Sequence, residues 1–197
     1  MLGNLRDIFL PEQKKTEPLY FYGRAALLIF LAVWSVALFK TPLDESMNSF
    51  LHNIDLPIHE TGHLVFSFLG EFIQYLGGTL LQLIMPLVVF FTFLLKNRDA
   101  FAAAVAGWWF GQNFLDIAPY VNDARDGVLM LTGGVTGQEA PDVHDWKNIL
   151  GMLGWIRYDH LLARFCFALG IIIMLLSLCW GGYILYRQKE SLISYGQ

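Results

Sequence analysis

The chain has 197 residues, of which 55% are hydrophobic and only 15% are charged, and its mean hydropathy is +0.47. Ordinary water-soluble domains carry more charge than this, so the composition predicts an integral membrane protein. The formal charge of -4 leaves no basic excess of the kind that nucleic-acid binders use to displace counterions, so we expect no nucleic-acid partner.

Four apolar stretches are long enough to cross a hydrocarbon core, which requires about 20 residues. They are residues 22–39, 76–95, 101–120 and 165–186. The third carries Gln112, Asn113 and Asp116 in its second half, and such side chains are costly in lipid. We therefore expect its polar face to turn toward a protein-lined or water-filled interior.

A fifth helix is predicted over residues 57–75, with Pro57 in its first turn and the pair Gly77–Gly78 at its end. Ionisable side chains along this stretch exclude contact with lipid. We expect it to be re-entrant, entering and leaving from the outer side. If it crosses instead, the chain has five spans rather than four.

Basic residues in the short loops orient the chain. With both termini in the cytoplasm, eight Lys and Arg residues lie inside and five outside. The inner set is Arg6, Lys14, Lys15, Arg24, Lys96, Arg98, Arg187 and Lys189. The prediction is an all-α polytopic membrane protein, formed by one membrane domain over residues 1–197, with four transmembrane helices and cytoplasmic termini.

Residues 121–160 form the predicted extramembrane loop, which is rich in glycine at its centre. After these glycines, Trp146, Ile149 and Leu150 begin a helical spacing. This spacing predicts a short amphipathic helix along the membrane surface. Asp142 and Asp145 stand in a capping-box-like spacing, which places the intervening histidine near the start of that helix.

The segment His59-Glu60-Thr61-Gly62-His63 is an H-E-x-x-H motif on a helix. Four-residue spacing puts both imidazoles on one helical face, where they can bind a single Zn²⁺. Glu60 then borders the open coordination position, from which a carboxylate can take a proton from metal-bound water. The motif predicts a zinc hydrolase with Glu60 as the general base.

A catalytic zinc site usually has three protein ligands, so one more is needed. The candidates are Asp116, Asp123 and His144. Asp116 could equally hold the free N–H of a ligand histidine. His144 could be a ligand or a catalytic donor to the oxyanion that forms when water adds to a carbonyl. It could also be an ordinary surface histidine near a helix cap.

These residues resemble a known family. A membrane-embedded H-E-x-x-H followed by a later helix with Asn113, Pro119 and Asp123 is similar to the site-2 protease group of intramembrane zinc metallopeptidases. The stretches 58–66 and 108–125, with His144-Asp145-Trp146, are similar to small, largely uncharacterised bacterial membrane proteins of that type.

The resemblance implies that His59, His63 and Asp123 bind zinc and that Glu60 activates water. It also implies that the chain lies in the bacterial inner (plasma) membrane. The leading expectation is a membrane-embedded zinc metallopeptidase that acts on a peptide or membrane-protein substrate in the lipid bilayer. The alternatives are a divalent-metal transporter, a zinc-binding non-catalytic subunit of a membrane complex, and a zinc lipid amidase. A membrane-protein partner or a homo-oligomer is compatible with each.

Overall fold

The computed structural model describes residues 5–11, 16–43 and 49–193. Within these residues every regular element is a helix, which confirms the all-α prediction. The α-helices are α1 (Leu5–Phe9), α2 (Pro18–Lys40), α3 (His52–Phe66), α4 (Glu71–Phe91), α5 (Ala100–Asn122), α6 (Asp145–Met152) and α7 (Asp159–Ile193). A π-helical segment, Thr92–Asn97, follows α4.

Among the described residues, three helical segments are long and apolar enough to cross a membrane, as expected of a membrane protein. They are Pro18–Lys40, Glu71–Asn97 and Ile156–Leu192. They contain three of the four predicted spans. The fourth predicted span lies in α5, whose 23 residues include the polar group Gln112, Asn113 and Asp116, and these side chains lower its hydropathy.

The helix that carries the H-E-x-x-H motif differs from its predicted bounds of 57–75. α3 begins at His52, so Pro57 lies inside the helix rather than at its start. The chain turns at Gly70, whose φ of 94° is in a region that favours glycine because other residues carry a Cβ. α4 begins at the next residue, so one continuous helix does not extend to residue 75.

The glycines predicted to end the motif helix lie inside α4 and serve close packing instead. A Cβ on Gly62 of α3 would overlap the carbonyl group of Gly77 in α4. A Cβ on Gly78 would overlap the ring of His59. Small residues let two helix backbones touch, and here they bring the motif directly against α4.

The chain divides into two compact units. The first contains Met1–Phe39, Pro86–Gly111 and Ile172–Gln197. Its buried core includes Phe101 and Ile184, and Arg24 forms an ion pair of 2.6 Å with Asp99.

The second unit contains Lys40–Met85 and Gln112–Ile171. Ile117, Val121 and Ala163 form a buried apolar cluster in it. The predicted surface helix is α6, which buries Ile149 and Leu150. The second unit also contains every residue of the predicted metal site.

Candidate metal centre

A cavity of about 430 Å³ lies in the second unit along one face of α3. α3 contributes His52, Leu56, His59, Glu60 and His63, which recur at helical spacing. The remaining walls come from α4, α5, the loop after α5 and the start of α6: Gln82, Asp116, Ile117, Tyr120, Met130, Leu131, Thr132, Val143 and Asp145.

Both motif histidines face the same carboxylate. The Nε2 atom of His59 lies 3.1 Å from Oδ2 of Asp145, and the Nε2 atom of His63 lies 3.2 Å from the same oxygen. One ligand atom from each of the three residues lies within 4.8 Å of the others. His59 and Asp145 are buried, with 8% and 7% of their surfaces exposed. This group could bind a metal ion.

The other ring nitrogen of each histidine, Nδ1, contacts an oxygen atom that can only accept a hydrogen bond. The Nδ1 atom of His59 lies 3.0 Å from Oε1 of Gln82. The Nδ1 atom of His63 lies 2.7 Å from the backbone carbonyl oxygen of Gln74. Each Nδ1 must therefore carry the proton and donate it, so in the neutral ring each Nε2 presents a lone pair toward Asp145.

Asp145 is the first residue of α6 and is fixed there by Tyr120 of α5. The Tyr120 hydroxyl accepts a hydrogen bond of 2.9 Å from the backbone N–H of Asp145 and lies 3.3 Å from its Oδ2. Burial acts to raise the pKa of the Asp145 carboxyl, but hydrogen bonds from His59 and His63 outweigh it and hold the pKa below the ordinary value. The group is therefore an anion at neutral pH.

His63, the second histidine of the motif, interacts electrostatically with the Asp145 carboxylate. Burial acts to lower the pKa of His63, but the hydrogen bond and charge of Asp145 raise it to about 9. Without a metal, the His63 ring is therefore protonated at neutral pH, and its positive charge lies beside the Asp145 carboxylate.

Glu60 lies on the cavity wall beside the two histidines and is exposed. The hydroxyl of Thr132 donates a hydrogen bond of 2.8 Å to its Oε1. Oε1 is thereby held by the loop after α5. The side chain predicted to be the general base is thus oriented by a residue that sequence reasoning did not single out.

Asp123, the predicted third ligand, is not in this group. Its carboxylate accepts hydrogen bonds from the backbone N–H groups of Val128 and Leu129, at 2.9 and 3.0 Å. It also lies 3.2 Å from Nε2 of His144. The carboxylate that contacts both motif histidines is that of Asp145, whereas the Asp123 carboxylate accepts hydrogen bonds within the loop that follows α5.

His144 likewise lies apart from the cavity lining, where it was predicted to act as a catalytic donor. It is fully buried and caps α6, its Nδ1 accepting a hydrogen bond of 3.2 Å from the backbone N–H of Lys147. Its Nε2–H then donates to Asp123, and burial lowers its pKa. A neutral ring with both nitrogens engaged suits a structural role in the loop.

Asp116 contacts the site through a second residue. Its Oδ2 accepts a hydrogen bond of 2.9 Å from Nε2 of Gln82, which in turn contacts His59. Both Asp116 oxygens also lie 3.0 to 3.1 Å from Nδ1 of His52. His52 and Gln82 lay outside the predicted patterns, although His52 precedes His59 by seven residues, two helical turns on the same face.

The structure thus brings together His59, Glu60 and His63, and adds Asp145 from a part of the chain that was predicted only to begin a helix. The signal for Asp145 was its position directly after His144 at that helix start. Comparisons with protein-family models, with curated proteins and with solved structures gave no match to this chain.

Proposed function

We propose that this chain is a membrane-embedded zinc metallopeptidase in which His59, His63 and Asp145 bind Zn²⁺ and Glu60 is the general base. One observation carries the proposal. Two imidazoles whose Nδ1 protons are already donated present their Nε2 atoms to a single buried carboxylate oxygen, at 3.1 and 3.2 Å. A divalent cation placed among these three ligand atoms would replace the proton held between His63 and Asp145 and accept an electron pair from each ligand.

The donor set and its spacing favour zinc. Two imidazole nitrogens and one carboxylate oxygen are typical of catalytic zinc sites, in which water occupies the fourth position. Ligand atoms at about 2.0–2.1 Å from a tetrahedral ion lie about 3.3 Å apart, close to the separations of 3.1 and 3.2 Å. A closed structural site would need a fourth protein ligand, and the predicted candidates Asp123 and His144 bind each other instead.

The residues around the centre suit hydrolysis of an amide. Zinc in this position would lower the pKa of bound water and polarise a substrate carbonyl. Glu60 would accept the proton of the attacking water and donate it to the leaving amine. Leu56, Ile117 and Leu131 line the same cavity and would bind apolar side chains of a peptide.

The membrane arrangement belongs to the same proposal. We place the chain in the bacterial plasma membrane with cytoplasmic termini, α5 as a fourth crossing and α3 as a re-entrant helix. The excess of basic residues on the inner side supports this orientation, although Lys14 and Lys15 lie outside the described residues, as does the side chain of Arg6. The H-E-x-x-H motif and the polar α5 support a site-2 protease-like enzyme with a peptide or membrane-protein substrate.

Two measurements test this function. Elemental analysis of the detergent-purified protein should find about one zinc per chain, and none in His59→Ala or Asp145→Ala. Incubation with a defined library of apolar peptides, followed by mass spectrometry, should then reveal cleavage by the wild type. Glu60→Gln should keep zinc and lose cleavage. Absence of metal from zinc-supplied wild type, or undiminished cleavage by Glu60→Gln, would overturn the proposal.

A further inference from the structure

Four side chains from three helices form one continuous series of hydrogen bonds that ends at a proposed zinc ligand. His52 contacts Asp116 at 3.0 Å, Asp116 accepts from Gln82 at 2.9 Å, and Gln82 contacts His59 at 3.0 Å. Gln82 and Asp116 are buried, with 3% and 5% of their surfaces exposed. Solvent therefore has little access with which to replace these partners.

The chemistry of Asp116 gives the series a direction. The carboxylate of Asp116 accepts a hydrogen bond from the NH₂ group of Gln82, so that group faces Asp116. The amide oxygen of Gln82 then faces His59, whose Nδ1 must carry the proton. His59 is thereby limited to the tautomer in which Nε2 has its lone pair free for a metal.

His52 holds the far end of the series. Its Nδ1 lies 3.0 and 3.1 Å from the two carboxylate oxygens of Asp116. This contact leaves Asp116 with a fixed orientation toward Gln82. His52 also stands two turns before His59 on α3, so one helix carries both ends of the series.

The two proposed histidine ligands differ in what orients them. His63 donates its Nδ1–H to a backbone carbonyl, that of Gln74, which no side-chain substitution removes. His59 depends on a side-chain amide. Its tautomer can therefore be changed by mutation without altering any metal ligand.

We propose that Gln82 is a positioning residue that fixes the tautomer and ring orientation of His59 for metal binding, and that Asp116 and His52 fix Gln82 in turn. The inference rests on the proposed metal site. Outer partners of this kind typically change metal affinity by about 10- to 100-fold when removed. A residue that merely fills space in α4 would not have this effect.

The test compares substitutions of matched size. Gln82→Met keeps the length of the side chain and removes the acceptor, and we expect it to weaken metal binding about 10- to 100-fold. The double variant Gln82→Glu/Asp116→Asn keeps an acceptor facing His59, because the amide introduced at position 116 donates to the carboxylate introduced at position 82, and it should remain near wild type. Gln112→Met makes the same substitution at another buried glutamine of the second unit, outside the cavity, and should leave metal affinity unchanged.

Affinity is measured by competition for Zn²⁺ with a chromophoric chelator, and ligand geometry by the visible spectrum of the Co²⁺-loaded protein. Gln82→Met should alter that spectrum, and the double variant Gln82→Glu/Asp116→Asn should retain it. Asp116→Asn provides a second variant, because an amide there lets Gln82 turn over and present NH₂ to His59, and it should also weaken binding.

The outcomes separate the two proposals. Wild-type affinity and a wild-type Co²⁺ spectrum in both Gln82→Met and Asp116→Asn would overturn the positioning role and leave the metal site intact. Failure of the wild type to bind Zn²⁺ or Co²⁺ would overturn the metal site itself, and the positioning role with it.

Discussion

The Nε2 atom of His59 lies 3.1 Å from Oδ2 of Asp145, although 86 residues separate them in the chain. α3 supplies the histidine, and the first turn of α6 supplies the carboxylate. Tyr120 of α5 binds the backbone of Asp145 and so connects the two. The proposed metal site therefore depends on a tertiary contact that no local motif contains.

Asp145 and Asp123 should respond differently to removal of their carboxylates. Asp145→Ala removes a proposed ligand and should lose the metal. Asp123→Ala should keep it, but removes the acceptor of the partly buried N–H groups of Val128 and Leu129, at a cost of about 0.5–1.5 kcal/mol for each hydrogen bond. Elemental analysis and thermal unfolding in detergent distinguish the two effects. Loss of zinc from folded Asp123→Ala would show that metal binding requires Asp123, as the family resemblance implies.

Gly78 should be required for metal binding although it carries no side chain. A Cβ at this position would overlap the His59 ring, so Gly78→Ala should displace the imidazole and reduce zinc content well below that of the wild type. Gly151→Ala is the control, because a Cβ there meets no atom within 4 Å. Equal zinc content in the two folded variants would show that His59 tolerates the displacement or is not a ligand.

Much of the fold follows from local sequence. Apolar stretches near 20 residues predict long helices because bilayer thickness sets their length, and α2, α4 and α7 satisfy that criterion. The pairing of His59 with His63 also follows from local sequence, because four-residue spacing puts both side chains on one face of a helix.

The structure differs from the sequence-based predictions where tertiary packing determines the role of a residue. Gly77 and Gly78 have the composition of a helix end, but in the structure they let α4 touch α3, and Gly70 makes the turn. The prediction of Asp123 as a ligand follows from a family resemblance, whereas the carboxylate beside both histidines in the structure is Asp145, which comes from beyond the loop after α5. Spacing along one helix cannot reveal a partner that arrives from a distant loop.

The hydroxyl of Thr132 should affect turnover rather than metal content. It donates to Oε1 of Glu60 at 2.8 Å and so orients the proposed general base. Thr132→Val removes that hydrogen bond, which is worth about 0.5–1.5 kcal/mol, and should lower kcat by about 2- to 10-fold with zinc retained. Thr132→Ser keeps the hydroxyl and should resemble the wild type. An unchanged kcat in Thr132→Val would show that the Thr132 hydroxyl does not contribute to catalysis.

Metal affinity should rise with pH because a proton competes for the site. The pKa of His63 is raised to about 9 in the metal-free protein, so at pH 7 the ring is protonated and metal binding must release that proton. Displacement of one proton raises the apparent affinity about tenfold per pH unit up to about pH 9, above which this dependence ends.

Zinc competition against a chelator at pH 6.5, 7.5 and 8.5 measures this slope, after correction for the protonation of the chelator alone. Proton release on zinc addition in weakly buffered solution at pH 7 should approach one proton per chain from His63. An affinity independent of pH across this interval would show that His63 is unprotonated before the metal binds, and that Asp145 does not hold a proton on it.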